Sequence, residues 1–283
     1  MIRHRSYAVP LTAVLLALAT GIALGAGPLT DTGSSASPGP RVLTPAPDAA
    51  DADAFAGAVA TRLYDHGLSR RPVAVVTMPG ADRATVAALV TQVKAAGGEL
   101  TGTYAVQPQL VDANQKSLVD TMGIQLAKQV GGVDKAATTY PRMGLLLAIA
   151  LATTAKTGVQ AGDDAVAVRQ SLAAAHLLAV PQGGPPTAPL VLVVLGSPVD
   201  QAIADGVLEG LAGGARGVVA VAPTRDAVLA GLATDGVTKR VTTVDGSETE
   251  AGRVAAVLGL VRAWNKPGGA FGASGSDGAA PLG

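Results

Sequence analysis

The sequence predicts an α/β protein: a Rossmann-like three-layer sandwich of about five mainly parallel strands, preceded by one N-terminal transmembrane helix. Short unbroken runs of Val, Ala and Leu recur along the chain, as is typical of parallel strands that are buried on both faces. Stretches with apolar residues three and four positions apart separate these runs, which indicates the helices of βα units. A long uncharged apolar segment opens the chain and predicts the membrane helix.

The membrane segment runs from Tyr7 to Ala26 and matches the roughly 20 residues that a helix needs to cross a bilayer core. Arg3 and Arg5 precede it, and the next Lys or Arg is Arg41. The positive-inside rule therefore predicts a cytoplasmic N-terminus and an extracytoplasmic main domain, in a membrane of the cell envelope. The bulky side chains expected to contact lipid are Tyr7, Leu11, Leu15, Leu18 and Ile22.

Two interpretations of this segment stay open. A retained anchor fits its full spanning length, and Gly21 and Gly25 would permit close helix packing. A cleaved signal peptide fits the weak small-x-small site at residues 23–25.

Composition divides the rest of the chain into three parts. Residues 27–48 are rich in Gly, Pro and Ser and predict a flexible linker. Residues 49–266 form the predicted α/β extracytoplasmic domain. Residues 267–283 are so rich in Gly, Ala and Ser that we expect a disordered tail.

The elements of the α/β domain follow from periodicity. A helix is predicted over 52–64, where Phe55, Val59 and Leu63 recur every four residues. The middle of the chain is helical, and 143–155 is uncharged but too short to span a membrane, so we expect a buried helix. The predicted strands cover 72–77, 101–106, 190–195, 217–221 and 241–244. The helices that follow three of them begin with capping residues, for which we select Asp82, Thr224 and Ser247.

Little in the sequence indicates a catalytic or nucleotide-binding site. No G-x-G-x-x-G follows the first strand, and neither G-x-x-x-x-G-K-[ST] nor G-x-S-x-G occurs, so we expect no enzyme. The loops at 78–82, 196–198, 223–226 and 245–248 combine small residues with helix N-termini that could accept an anion, but ordinary βα turns have the same composition. The 21 basic and 21 acidic residues cancel and form no basic cluster, which argues against nucleic acid as a partner.

Metal ligands are scarce, because the chain has no cysteine, three histidines and four methionines. His66 is expected in a surface turn, and Met78 is the one methionine at a loop edge where a soft-metal site could form. We therefore expect no firmly bound cofactor, and Met78 and His66 stand only as candidate metal ligands.

Two stretches carry a resemblance to a known family: residues 7–25 (YAVPLTAVLLALATGIALG) and residues 241–254 (VTTVDGSETEAGRV). Both resemble the actinobacterial copper transporter family, the family of the mycobacterial copper transport protein B, and the βα segment 73–106 is consistent with it. The resemblance implies a cell-envelope protein that forms channels and acts in copper efflux or tolerance, with copper as the transported ion. Relatives usually carry a polar coiled coil after the membrane helix, where this chain has the linker 27–48.

The leading hypothesis is therefore a membrane-anchored copper homeostasis protein that works as a homo-oligomer or with envelope partners. One spanning helix cannot enclose a pore, so transport needs further copies or partners. The alternatives are a non-catalytic, membrane-tethered interaction or scaffold domain, and an α/β enzyme with an unrecognised site.

Overall fold

The computed structural model describes residues 47–134, 136–196 and 199–282, in which one sheet carries helices on both faces. The strands are β1 (Pro72–Thr77), β2 (Glu99–Val106), β3 (Leu178–Ala179), β4 (Leu190–Val194), β5 (Gly217–Ala222), β6 (Val241–Asp245) and β7 (Gly269–Phe271). The helices are α1 (Pro47–Tyr64), α2 (Arg83–Ala95), α3 (Pro108–Val111), α4 (Lys116–Gln129), α5 (Thr139–Leu151), α6 (Asp163–Ala174), α7 (Gln201–Gly214), α8 (Ala227–Thr234) and α9 (Glu250–Ala263).

The sheet has the order β3-β2-β1-β4-β5-β6-β7, and every neighbouring pair is parallel except β2 with β3. The prediction of an α/β protein with a mainly parallel sheet is confirmed. The predicted number of strands is wrong, because the sheet has seven strands and the prediction counted about five. The additional strands, β3 and β7, lie at the two edges and are only 2 and 3 residues long, too short for a periodic pattern.

Alternate residues of the strands enter two separate hydrophobic cores, one on each face of the sheet. Val73 and Val75 pack against α1, α2 and α9, whereas Ala74 and Val76 pack against helices of the opposite face. That second face is formed by α4 to α8. Burial on both faces explains why β4 and β5 are apolar at every position.

Helices α5 and α7 are in direct backbone contact, since both present glycine at their crossing. A Cβ atom on Gly144 of α5 would lie 2.2 Å from the carbonyl oxygen of Val207, and one on Gly210 of α7 would lie 2.1 Å from that of Pro141. Most of α5 is buried, which confirms the buried helix expected from the uncharged stretch at 143–155.

The N-terminal predictions lie mostly outside the described residues. These include the transmembrane helix with Tyr7, Leu11, Leu15, Leu18 and Ile22, and nearly all of the linker 27–48. Among the residues that the structure describes, no helix is both long and apolar enough for a membrane span.

Helix α1 begins at Pro47, five positions before the predicted start at 52, and it turns its predicted apolar face outward. Phe55 is 69% exposed and Leu63 is 44% exposed. The side that packs on the domain carries Ala60 and Tyr64 instead, and the Tyr64 hydroxyl donates a hydrogen bond to Gln92 of α2 at 2.8 Å.

The tail predicted to be disordered over 267–283 is ordered through residue 282. Its residues 269–271 form β7, which pairs with β6. The chain then turns back, so that Ala270 and Asp277 exchange two hydrogen bonds of 2.8 Å, from Ala270 N to the Asp277 carboxylate and from Asp277 N to the Ala270 carbonyl. Composition alone missed this segment because its stability comes from contacts with the sheet, not from local propensity.

Candidate functional site

In open α/β sheets, ligands bind beyond the carboxyl ends of the strands, where the strand order reverses. Here that point lies between β1 and β4. The loop after β1 lies directly against the loop after β4: a Cβ on Gly196 would lie 2.1 Å from the backbone N of Ala81 and 2.3 Å from the carbonyl oxygen of Pro79. Only glycine fits at position 196, because the backbones of the two loops are in contact there.

The helix N-termini at this edge are capped by the protein's own side chains. The Asp82 carboxylate accepts a hydrogen bond from Thr85 N at 2.7 Å, which confirms the predicted cap of α2. The predictions of Thr224 and Ser247 as caps are wrong, because Asp226 caps α8 and Thr249 caps α9. In addition, Asp200 caps α7. Aspartates already occupy three of the N-termini at which an anion could bind, so the electrostatics of this edge do not favour one.

A groove of about 690 Å³, here called the Met78 groove, lies between α2 and the carboxyl ends of β1 and β2. Its walls are mostly apolar and include Met78, Val86, Val90 and Leu100. Met78 is 4% exposed and packs with Ala74 and Val76 in the core on the face opposite α2, so its thioether has little access to solvent. The few polar side chains in the walls include Thr77, Thr103 and Gln107, none of which is a soft metal ligand.

The second predicted metal candidate, His66, lies far from Met78. It is exposed in the turn between α1 and β1, with a positive φ of 53°. Met78 follows the other end of β1, so about 20 Å of strand separates the two residues. Across the described part of the chain, no group of three or more His, Cys, Asp or Glu side chains is placed to hold a metal ion.

A second cavity, of about 600 Å³, is here called the acidic groove because Asp120, Asp200, Asp205 and Glu209 line it. The carboxylate of Asp120 accepts hydrogen bonds from the Thr139 hydroxyl at 2.7 Å and from Arg142 at 3.0 Å. Both bonds stabilise the charged form and lower the pKa of Asp120, the Thr139 bond most strongly.

Two further groups in the acidic groove have pKa values above their ordinary range. Burial raises the pKa of Asp205, and the neighbouring carboxylates of Asp235 and Glu209 raise it further. Burial also raises the pKa of Tyr140, with a contribution from the charge of Asp200. The four carboxylates outnumber Lys116, the basic residue of the lining, and give the groove a negative potential, which favours cations. The sequence prediction missed this groove because helices distant in sequence build it.

Comparison with known protein families identifies the chain. The model of a family described as "Copper transport outer membrane protein, MctB" matches residues 1–282. The chain belongs to the MctB family. Copper transporter MctB of Mycobacterium tuberculosis (strain ATCC 25618 / H37Rv) is 30% identical over 302 aligned positions, which cover 92% of each chain. Copper transporter MctB of Mycobacterium leprae (strain TN) is 32% identical over 301 positions, with the same coverage.

Residues 241–254, which carry part of the MctB resemblance, make contacts that stabilise the fold. Asp245 is 2% exposed at the end of β6, and its carboxylate accepts hydrogen bonds from the backbone N and the hydroxyl of Ser274. A Cβ on Gly252 would lie 1.9 Å from the carbonyl oxygen of Gly246, so the turn between β6 and α9 requires glycine there. Arg253 forms an ion pair with Glu250 at 2.8 Å.

Proposed function

We propose that this chain serves copper transport at the cell envelope, as a non-catalytic extracytoplasmic domain anchored by residues 1–26. The observation that carries the proposal is the match of residues 1–282 to a family of copper transport proteins. The direction of transport is efflux, as the resemblance implies. Because one helix cannot line a pore, the transporting unit comprises several copies of the chain or the chain with envelope partners.

Within one copy, Met78 is the side chain best suited to contact copper. Its thioether is a soft ligand of the kind that Cu(I) prefers, and the residue borders the Met78 groove at the loop end of β1. A single thioether holds copper weakly, so further ligands come from solvent, a second copy or a partner. Weak binding suits a transporter, because the ion must leave again.

The physiological test is the copper tolerance of a strain that lacks this gene. We expect the deletion to be more sensitive to copper and to accumulate more of it, and the full chain to restore both properties. A version without residues 1–26 should fail to restore them, because the domain would lose its position at the membrane. Intracellular copper measured by mass spectrometry distinguishes efflux from uptake, since loss of an uptake protein would lower it.

A matched control separates anchoring from any specific role of the membrane segment. Residues 1–26 are replaced by an unrelated single-span anchor of the same orientation. Rescue by this chimera means that tethering suffices, whereas failure assigns the segment a part in the transport unit. Unchanged copper tolerance in the deletion strain would contradict the proposal.

A second test concerns Met78 directly. Met78→Leu removes the thioether but nearly conserves the volume of the side chain, so packing should change little. We expect the affinity of the full chain for Cu(I), measured by competition with a chromophoric chelator, to fall by about tenfold. Met143→Leu is the control, because Met143 is fully buried in the core. Equal affinities of the two variants would remove Met78 from the proposal.

The alternative function is a tethered interaction or scaffold domain with no copper contact of its own. The outward-facing Phe55 and Leu63 of α1 favour it, since they offer a partner apolar surface. Loss of copper tolerance in a Phe55→Ser/Leu63→Ser variant that still folds, together with unchanged tolerance in Met78→Leu, would favour this function.

A further inference from the structure

The single tryptophan of the chain lies at the amino edge of the sheet, opposite the edge described above. Trp264 follows α9, and two guanidinium groups lie over its ring: Arg71 Cζ is 4.7 Å and Arg216 Cζ is 4.6 Å from the ring centroid. Arg71 immediately precedes β1, and Arg216 immediately precedes β5. With β4 between these strands, both guanidinium groups reach the same indole ring at this edge of the sheet.

No carboxylate neutralises this pair of arginines in the part of the chain that the structure describes. The two ion pairs among the described residues, Arg142–Asp120 and Arg253–Glu250, involve neither Arg71 nor Arg216. Arg216 donates one hydrogen bond, from Nε to the carbonyl oxygen of Trp264 at 3.0 Å. Among the described residues, none accepts a hydrogen bond from the Arg71 guanidinium. The guanidinium lies over the ring of Trp264.

The positive charges of the two arginines repel each other. Burial lowers the pKa of Arg71, and the positive charge of Arg216 lowers it further. Both guanidiniums are partly withdrawn from solvent, so their repulsion is screened less than at an open surface. An anion beside them would offset this repulsion.

The surrounding edge is also basic. The positions just before the parallel strands carry basic side chains in addition to the stacked pair: Arg70 before β1, Lys239 and Arg240 before β6, and Lys266 before β7. Glu99, the first residue of β2, is acidic. At these positions the amino edge of the sheet carries more basic than acidic side chains, which favours an anion.

We propose that Arg71, Arg216 and Trp264 form a binding site for a phosphate group, supplied either by a lipid headgroup or by free phosphate. The planar guanidinium presents donors in a fork that matches two phosphate oxygens, and stacking on the indole fixes the plane of that fork before the ligand arrives. Less side-chain entropy is then lost on binding. The helix N-termini of the opposite edge do not compete, because aspartates cap three of them.

Trp264 makes the site observable without a label, because its emission responds to any ligand at the two guanidiniums. The full chain in nonionic detergent is titrated with inorganic phosphate at constant ionic strength, and separately with dihexanoyl phosphatidylglycerol and with dihexanoyl phosphatidylcholine. We expect a saturable change in emission. Saturation with inorganic phosphate identifies free phosphate as sufficient, and saturation with the phosphatidylglycerol alone identifies a headgroup site.

Substitutions assign the response to the arginines. Arg71→Gln and Arg216→Gln should each weaken binding by about tenfold, as expected for the loss of one charge-assisted contact. Arg71→Lys keeps the charge but loses the fork, and should weaken binding several-fold even if the Gln variants fold poorly. Arg225→Gln is the control, because Arg225 is an exposed arginine beyond the opposite end of β5.

Three results would overturn the proposal. The first is a response that chloride reproduces at equal ionic strength, and the second is a response that does not saturate with any of the three titrants. The third is an affinity that stays unchanged in Arg71→Lys and in the Gln variants that circular dichroism shows to be folded.

Discussion

Replacing Gly210 by alanine is expected to destabilise the protein by about 3 kcal/mol or more, although alanine is the better helix former. The added Cβ would lie 2.1 Å from the carbonyl oxygen of Pro141 and 2.7 Å from the backbone N of Leu145. Both neighbours belong to the backbone of α5, so no side-chain rotation can relieve the overlap. The helices must separate, and the apolar contacts beneath them must loosen.

The same helix supplies a matched control for this prediction. A Cβ on Gly213 would meet only Leu145 Cδ1, at 3.7 Å, which is ordinary contact. Gly213→Ala should therefore stabilise the protein by up to about 1 kcal/mol, through helix propensity alone. Thermal unfolding of the full chain in nonionic detergent, followed by circular dichroism, should show the melting temperature falling by several degrees for Gly210→Ala and rising slightly for Gly213→Ala. Shifts of the same sign and size would show that the close crossing of α5 and α7 is unimportant for stability.

The sequence was most informative about the strands that are buried on both faces. β4 and β5 are uninterrupted apolar runs, because each residue must enter one of the two cores, and β1 is apolar up to its last residue, Thr77. β3 and β7 lie at the sheet edges, where residues need not be buried on both faces, and the sequence did not predict them. The helix caps show a different limit: Thr224 and Asp226 are both good capping residues, and the position of α8 decides which one serves.

The candidate sites could be predicted less well, because they depend on the order of the strands in the sheet. Arg71 and Arg216 are 145 positions apart in the sequence, and only the order β1-β4-β5 brings both to Trp264. The sequence does show a basic residue immediately before each of these two parallel strands. Predicting that the two residues meet would have required knowing that β1 and β5 lie close together in the sheet. Met78 was predicted at a loop edge, whereas its burial follows from packing with Ala74 and Val76 in the core opposite α2.

The second large effect is expected at Asp245, which holds the C-terminal segment on the sheet. Asp245→Ala should destabilise the protein by about 3 kcal/mol, because the backbone N and hydroxyl of Ser274 and the backbone N of Arg225 lose their acceptor together. Gly272 also lies against this carboxylate, since a Cβ there would be 1.9 Å from Asp245 Oδ1. We therefore expect residues 272–282 to detach and to become sensitive to proteases before the rest of the domain unfolds.

A double-mutant cycle with Ser274→Ala measures how much of this effect passes through the Asp245–Ser274 contact. Ser274→Ala removes the hydroxyl but keeps the backbone N, so alone it should cost about 1 kcal/mol. If the carboxylate acts mainly by binding the tail, Ser274→Ala should cost much less in the Asp245→Ala background than in the natural chain. Limited proteolysis with mass spectrometry reports detachment of the tail directly. Full additivity of the two substitutions, with the tail still protected, would mean that Asp245 stabilises β6 and its turn but does not hold the C-terminus.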